Sequence, residues 1–253
     1  MTPVRLARLV RHPIKSVGYQ EIERAALTQG RPLPFDRLWA VATEAAGFDA
    51  DRIDWQPKMR FVRGAAEGTL QAVRADFDAA SGAITLSHPI CDDFHGRLPD
   101  DGDALVAWLR PLWPANRPHP ARLVSRADGG ALTDVPEPFL AILSTTSHRI
   151  LGKRMGLDLS IHRWRGNLWL DGLAPWEEFN LIGKEVQIGT ARLRVEERIT
   201  RCAATTFDPL TGRAGGDTLA ALEHGWGHRD FGVYARVTVP GDISVDDEVT
   251  ILP

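Results

Sequence analysis

Val186-Gln187-Ile188-Gly189-Thr190-Ala191-Arg192-Leu193-Arg194-Val195-Glu196 alternates apolar and polar residues on either side of Gly189-Thr190. Successive side chains of a strand face opposite ways, so this alternation predicts a hairpin with Gly189-Thr190 as its turn. Downstream, Phe231, Val233, Ala235, Val237 and Val239 share one face of a longer strand, and Gly232, Tyr234, Arg236 and Thr238 take the other. Pro240-Gly241-Asp242 ends it, and Ile243 to Val245 and Val249 to Leu252 read as short strands. Upstream, Thr69 to Arg74 and Ile84 to Leu86 are predicted strands around a turn from Asp76 to Gly82. Helix signals are few. Leu105, Trp108, Leu109 and Leu112 have helical spacing, with Asp103 as candidate cap and Pro111 as a limit. Ser147 to Met155 and Asp217 to His224 are two further candidates. Many short strands with Gly and Pro turns predict a mainly β fold of barrels or sandwiches with a few helices. Pro111, Pro114, Pro118 and Pro120 mark a linker, which divides the chain into 1–118 and 119–253.

Composition narrows the function. The chain has 253 residues, enough to bury a core without metal or disulfide staples. Thirty Lys and Arg stand against 33 Asp and Glu, a formal net charge of −3. No global basic field points to bulk nucleic-acid binding, so any anion site must be local. Two cysteines, Cys91 and Cys202, are too few for a disulfide scaffold or a Cys-rich metal site, and are expected as free thiols in a reducing compartment. Arginines interrupt Met1-Thr2-Pro3-Val4-Arg5-Leu6-Ala7-Arg8 before an apolar signal region can form. No apolar run approaches the ~20 residues a membrane span needs. The expected location is the cytoplasm.

The most informative segment is Arg201-Cys202-Ala203-Ala204-Thr205-Thr206-Phe207-Asp208-Pro209, which follows a strand. A cation beside a thiol favours the thiolate, a nucleophile or soft-metal ligand; a small buried hydrophobe is the plain alternative. Arg11-His12-Pro13-Ile14-Lys15-Ser16-Val17-Gly18 ends a strand pattern in a loop whose lysine, hydroxyl and N–H groups suit a phosphate, although Walker-loop glycine spacing is absent. Asp36-Arg37 reads as a structural ion pair. Ser144-Thr145-Thr146-Ser147 reads as a helix cap that also suits an anion. His162-Arg163-Trp164-Arg165-Gly166-Asn167 could grip a polar heterocycle or phosphate, or form strand-surface charge. Glu177-Glu178 reads as surface charge, and Cys91 as structural. There is no His-Glu-x-x-His motif and no Gly-x-Ser-x-Gly elbow.

In order, these segments resemble the MOSC family, the molybdenum-cofactor-sulfurase C-terminal-type domains. Pro13-Ile14-Lys15-Ser16, Gly30 and Asp36-Arg37-Leu38-Trp39 resemble its N-terminal β-barrel domain. Arg165-Gly166-Asn167, Pro175-Trp176-Glu177-Glu178, Arg201-Cys202, Thr206-Phe207-Asp208-Pro209, Thr211-Gly212-Arg213, Phe231-Gly232-Val233-Tyr234 and Gly241-Asp242-Ile243-Ser244-Val245 resemble the MOSC domain proper. The resemblance implies a two-part β-barrel architecture that binds the molybdenum cofactor. In two-part members such as the mitochondrial amidoxime-reducing component, the position of Cys202 ligates molybdenum. Lys15, Ser16, Arg37, Ser147, Arg165 and Asn167 match positions that hold the pterin and its phosphate, and Arg201 adjoins the metal ligand. The family often has Arg-Pro-Asn where this chain has Arg165-Gly166-Asn167, and Gly166 is expected to loosen that backbone.

The implied activity is reduction of N-oxygenated or N-hydroxylated small molecules, with Cys202 on the metal and Asp208 handling protons. Two cysteines cannot build an iron–sulfur domain, so electrons are expected from a separate flavin or iron–sulfur protein. One rival is a non-redox sulfur or cofactor carrier using Cys202. Another is a non-catalytic barrel that binds a different anion.

Overall fold

The computed structural model describes residues 3–49 and 53–252. Met1 and Thr2 of the N-terminal stretch read above, and Pro253, lie outside them. In chain order the elements are β1 (Arg5–Arg11), β2 (Gln20–Ile22), β3 (Arg24–Leu27), β4 (Trp39–Thr43), β5 (Arg74–Phe77), β6 (Ala83–His88), β7 (Cys91–Arg97), α1 (Gly102–Leu109), β8 (Pro120–Ser125) and β9 (Leu140–Ser144). They continue with α2 (Thr145–Met155), β10 (Leu168–Asp171), β11 (Glu185–Ile188), β12 (Ala191–Thr200), α3 (Thr218–Trp226), β13 (Asp230–Val239), β14 (Gly241–Ser244) and β15 (Val249–Leu252). The fold is mainly β with a few helices.

Eight strands form the principal sheet, in the order β15-β11-β12-β13-β9-β10-β1-β2. The predicted hairpin supplies its second and third strands. Ile188 pairs with Ala191 across Gly189-Thr190, and Gly189 takes the positive φ of 53° that this two-residue turn needs. Among the described residues no ladder joins β15 to β1 or β2. Instead an isolated bridge links Arg5 to Glu248, Leu6 N donates to Asp247 O (2.9 Å), and Val249 N donates to Val4 O (2.8 Å). Leu6, Leu9, Ile142, Leu168, Leu170, Val186, Leu193, Val195, Val233 and Val237 fill the interior. Val239, expected on the same face, is exposed at the strand end. β9 and β10 are parallel and joined through α2, the crossover that parallel neighbours require.

Smaller sheets flank this one. β5-β6-β7 packs on α1, and β4 pairs with β8. The predicted strand at 69–74 is instead a 3-10 turn over Gly68–Ala72, because the Glu67 side chain accepts from Thr69 N and starts a helical turn. The strand begins at Arg74. Asp103 lies in the first turn of α1, whereas Asp101 is the cap residue, its carboxylate accepting from Arg97 N. The proline-rich stretch is packed rather than free: Leu112 and Trp113 are buried, and Trp113 Nε1 donates to Pro118 O (3.0 Å). Strands from both sides of residue 118 interleave. β1 lies in the sheet with β10, β3 pairs with β14, and β4 with β8.

Candidate functional site

The end of β12, the 163–167 segment before β10, the 133–139 segment and loops of the first half of the chain surround one cleft of about 1020 Å³, part of it open to solvent. The loop after β1 runs beside residues 36–39: Arg37 N donates to His12 O (2.6 Å), Lys15 N to Trp39 O (2.7 Å) and Trp39 N to Pro13 O (3.2 Å). This pairing sets Lys15 and Ser16 beside Arg37. Asp36 lies behind them, fully buried. It accepts from His12 N (2.8 Å) and forms an ion pair with Arg37. Burial alone would raise the Asp36 carboxyl; the Arg37 and His12 contacts override it and hold the group well below the usual carboxylate range.

Two carbonyls of the 162–167 segment are gripped by guanidinium groups. Arg37 Nη2 donates to Arg165 O (2.7 Å), and Arg201 Nη1 donates to Trp164 O (2.8 Å). Arg165 in turn donates to Gly18 O (3.1 Å) and Ile14 O (3.2 Å), tying the two halves of the chain together. Six non-glycine residues have positive φ among the described ones, and Ser16, Arg37 and Arg165 are three of them, so the strained backbone gathers at the cleft. A Cβ at Gly166 would lie 2.1 Å from Leu143 Cδ1, so the buried Leu143 side chain would have to shift to admit any other residue.

Seven cations line the cleft: Lys15, Arg37, Lys58, Arg63, Arg163, Arg165 and Arg201. One carboxylate, Asp134, lines it with them. Burial, and then Arg37, push the Arg165 guanidinium down to about 9; burial likewise lowers Arg201 to about 10. Both remain charged at neutral pH, and their side-chain hydrogen bonds go to main-chain carbonyls rather than to carboxylates. Such a cluster is stabilised by an anionic ligand. Two buried donors at the cleft, Arg163 Nε and Trp164 Nε1, lack a hydrogen-bond partner.

Of the residues expected at the site, Lys15, Ser16, Arg37, Arg165, Asn167, Arg201 and Cys202 meet on this cleft. Cys202 is an exposed free thiol, placed by the 3-10 turn at Ala203–Thr206. Asn167 holds the frame: its Oδ1 accepts from Ala141 N (3.0 Å) and its Nδ2 donates to Val10 O (3.1 Å). Ser147 is not among the lining residues. It is buried at the start of α2, donating to Glu178 Oε2 (2.8 Å) and accepting from Trp176 N (2.8 Å). Asp208 lies along a separate hollow beyond Arg163, where its carboxylate accepts from Leu210 N and Thr211 Oγ1 (3.1 Å each). Glu178, read as surface charge, is fully buried, because the irregular turn at 177–181 sends its side chain under α2. Cys91 starts β7 at the edge of the core, and burial with Asp92 and Asp93 pushes its thiol up, away from activation.

The 3–111 segment matches the MOSC N-terminal beta barrel domain, and 132–250 matches the MOSC domain. This chain belongs to the MOSC family. MOSC domains are associated with the molybdenum cofactor, and the family includes molybdenum-cofactor sulfurases and reductase-like members. Among solved structures, the YUAD protein of Bacillus subtilis is similar at TM-score 0.47 and 12% identity, over 99% of this chain and 96% of that one. YiiM of Geobacillus stearothermophilus (TM-score 0.35, 19% identity) and YiiM of Escherichia coli (0.34, 17%) each align with 45% of this chain and 54% of their own. No curated protein matches the chain. No helix among the described residues is long and apolar enough to cross a membrane.

Lys58, Arg63, Arg163 and Asp134 also line this MOSC cleft. Arg163 stood in a segment already singled out for its charge. The other three lie on irregular stretches with no periodicity or motif to reveal them.

Proposed function

We propose that the cleft binds the molybdenum cofactor with Cys202 as the protein's ligand to the metal. We further propose that the chain reduces N-oxygenated or N-hydroxylated small molecules, using electrons from a separate flavin or iron–sulfur protein. The observation that carries this reading is the meeting of seven cations and an exposed thiol on one cleft, in a chain of net charge −3.

The residues present suit the group. Among the described residues no cluster of three or more His, Cys, Asp and Glu could hold a bare metal ion. A metal that arrives on its own sulfur chelate asks for one soft protein ligand, which Cys202 offers. Arg37 and Arg165 supply charge for a phosphate. When bound, the cofactor supplies a metal that changes oxidation state and exchanges an oxo group. The chain's own part is to bind, orient and screen. Arg165 and Arg201 lock the wall by bonding main-chain carbonyls, and Asn167 fixes β10 against β1 and β9.

The test is molybdenum per chain by elemental mass spectrometry, on protein from a host that makes the cofactor. Near-stoichiometric metal is expected, with a loss of about tenfold or more in Cys202→Ser, at least what loss of an outer-shell partner of a metal ligand costs. Steady-state reduction of a hydroxylamine or amidoxime by an artificial donor is expected to follow metal content. Metal without turnover favours the carrier reading, which the exposure of Cys202 also suits. Metal-free, well-folded protein from that host overturns both.

A further inference from the structure

The seven cations of the cleft bring N–H donors and no acceptors. Asn167 could accept, but its Oδ1 is taken by Ala141 N. That leaves Asp134 as the charged acceptor of the cleft. Its position is fixed from both sides: Leu132 N donates to Arg37 O (2.8 Å), and Trp55 Nε1 donates to Thr133 O (3.1 Å). Lys15 Nζ donates to Asp134 Oδ1 (2.6 Å), and Lys58 Nζ lies 3.5 Å from Oδ2. The Lys15 side chain is 4% exposed and that of Asp134 47%, so the pair presents its carboxylate outward and keeps its ammonium behind. An ionised carboxylate has about four acceptor directions, and the two lysines leave some of them free.

We propose that Asp134 determines ligand specificity in this cleft: it admits a heterocycle that offers N–H donors beside a carbonyl, and it disfavours a bare anion at Lys15. The inference rests on the cofactor reading above, because a 2-amino-4-oxo pterin edge has that pattern. The carboxylate accepts from the amino group and ring N–H while Lys58, half-exposed beside it, donates to the oxo group, and the anionic tail lies among the arginines. A phosphate placed at Lys15 meets a like charge on Asp134 and is correspondingly weakened.

The test uses the full chain from a host unable to make the cofactor. The probes are pterin-6-carboxylate, lumazine-6-carboxylate (in which a 2-oxo group replaces the amino group) and inorganic phosphate. Fluorescence titration is expected to show the pterin bound roughly tenfold more tightly than the lumazine, the value of one charge-assisted hydrogen bond against an unpaired carboxylate. Asp134→Asn should bring that preference within about twofold and tighten phosphate binding several-fold by calorimetry. Asp134→Glu keeps the carboxylate and should keep the preference.

Equal binding of the two heterocycles by the native chain overturns the proposal, as does no binding of either at millimolar concentration. So does an unchanged preference in Asp134→Asn, or its loss in both variants alike. Failure here is separable from failure of the enzyme reading. A chain that prefers the pterin but takes up no molybdenum keeps this inference and sinks the other; metal uptake without the preference does the reverse.

Discussion

Asp36 carries its charge at essentially zero exposure, held by the ion pair to Arg37 and by His12 N. Removing one partner of a buried pair leaves the other charge uncompensated, so Asp36→Asn is expected to cost about 3 kcal/mol by urea denaturation at pH 7. The depressed carboxyl sets the sign of the pH dependence. Its contribution is full above the unfolded carboxylate value near ~4 and fades as pH falls toward the lower folded one. The gap between native chain and variant should therefore narrow below about pH 4; a gap that widens in acid contradicts the pairing. At this scale the sequence was informative where a residue's role is local. Asp36-Arg37 reads as an ion pair because adjacent opposite charges next to Trp39 have few other uses. The roles of Asn167 and Ser147 were hidden, because their partners, Val10 and Ala141 for one and Glu178 for the other, lie far away in sequence.

Among the elements, α2 and the turn at 177–181 are clamped through Ser147 Oγ, which donates to Glu178 Oε2 and accepts from Trp176 N at the turn's start. Glu178 Oε1 is buried without a partner, and burial pushes the carboxyl up to about 7. A folded value raised above the unfolded one gives stability that is full below about pH 4 and lost as pH rises through 7. The loss by pH 8 is roughly 3 kcal/mol, and Glu178→Gln should escape it. Thermal melts at pH 5 and pH 8 are expected to show the variant gaining on the order of 10 °C relative to the native chain between the two. Parallel shifts of both proteins would refute it. The hairpin of β11 and β12 is legible from alternation alone, because Val186, Ile188, Ala191, Leu193 and Val195 face one interior. The segment at 68–72 is not. Leu70, Gln71 and Ala72 are all buried, and a polar residue held inside by its neighbours leaves no period to read.

For the molecule as a whole, the strands interleave across residue 118. β10 is flanked by β9 and β1, and β1 supplies Leu6 and Leu9 to the same interior as Leu168 and Leu170. Residues 119–253 expressed alone would leave β10 with an unpaired, apolar edge. Circular dichroism is expected to show no cooperative melt for that fragment, and a sharp one for the full chain; a cooperative fragment would show that β1 is dispensable. Strand content was readable, since each strand carries its own pattern. Which strands are neighbours was not, because pairing over such separations leaves no trace in local periodicity.

The seam between Arg5 and Glu248 also has a meaning in time. During synthesis β1 leaves the ribosome early, yet its first long-range partner, β10, lies some 160 residues later, and its last contacts come only with residues 247 to 249. Until then most of the interior that Leu6 and Leu9 enter is missing. The nascent chain must carry β1, paired only with β2 and open along its other edge, through most of its own translation, which makes that edge the natural place for a chaperone to hold and for aggregation to begin.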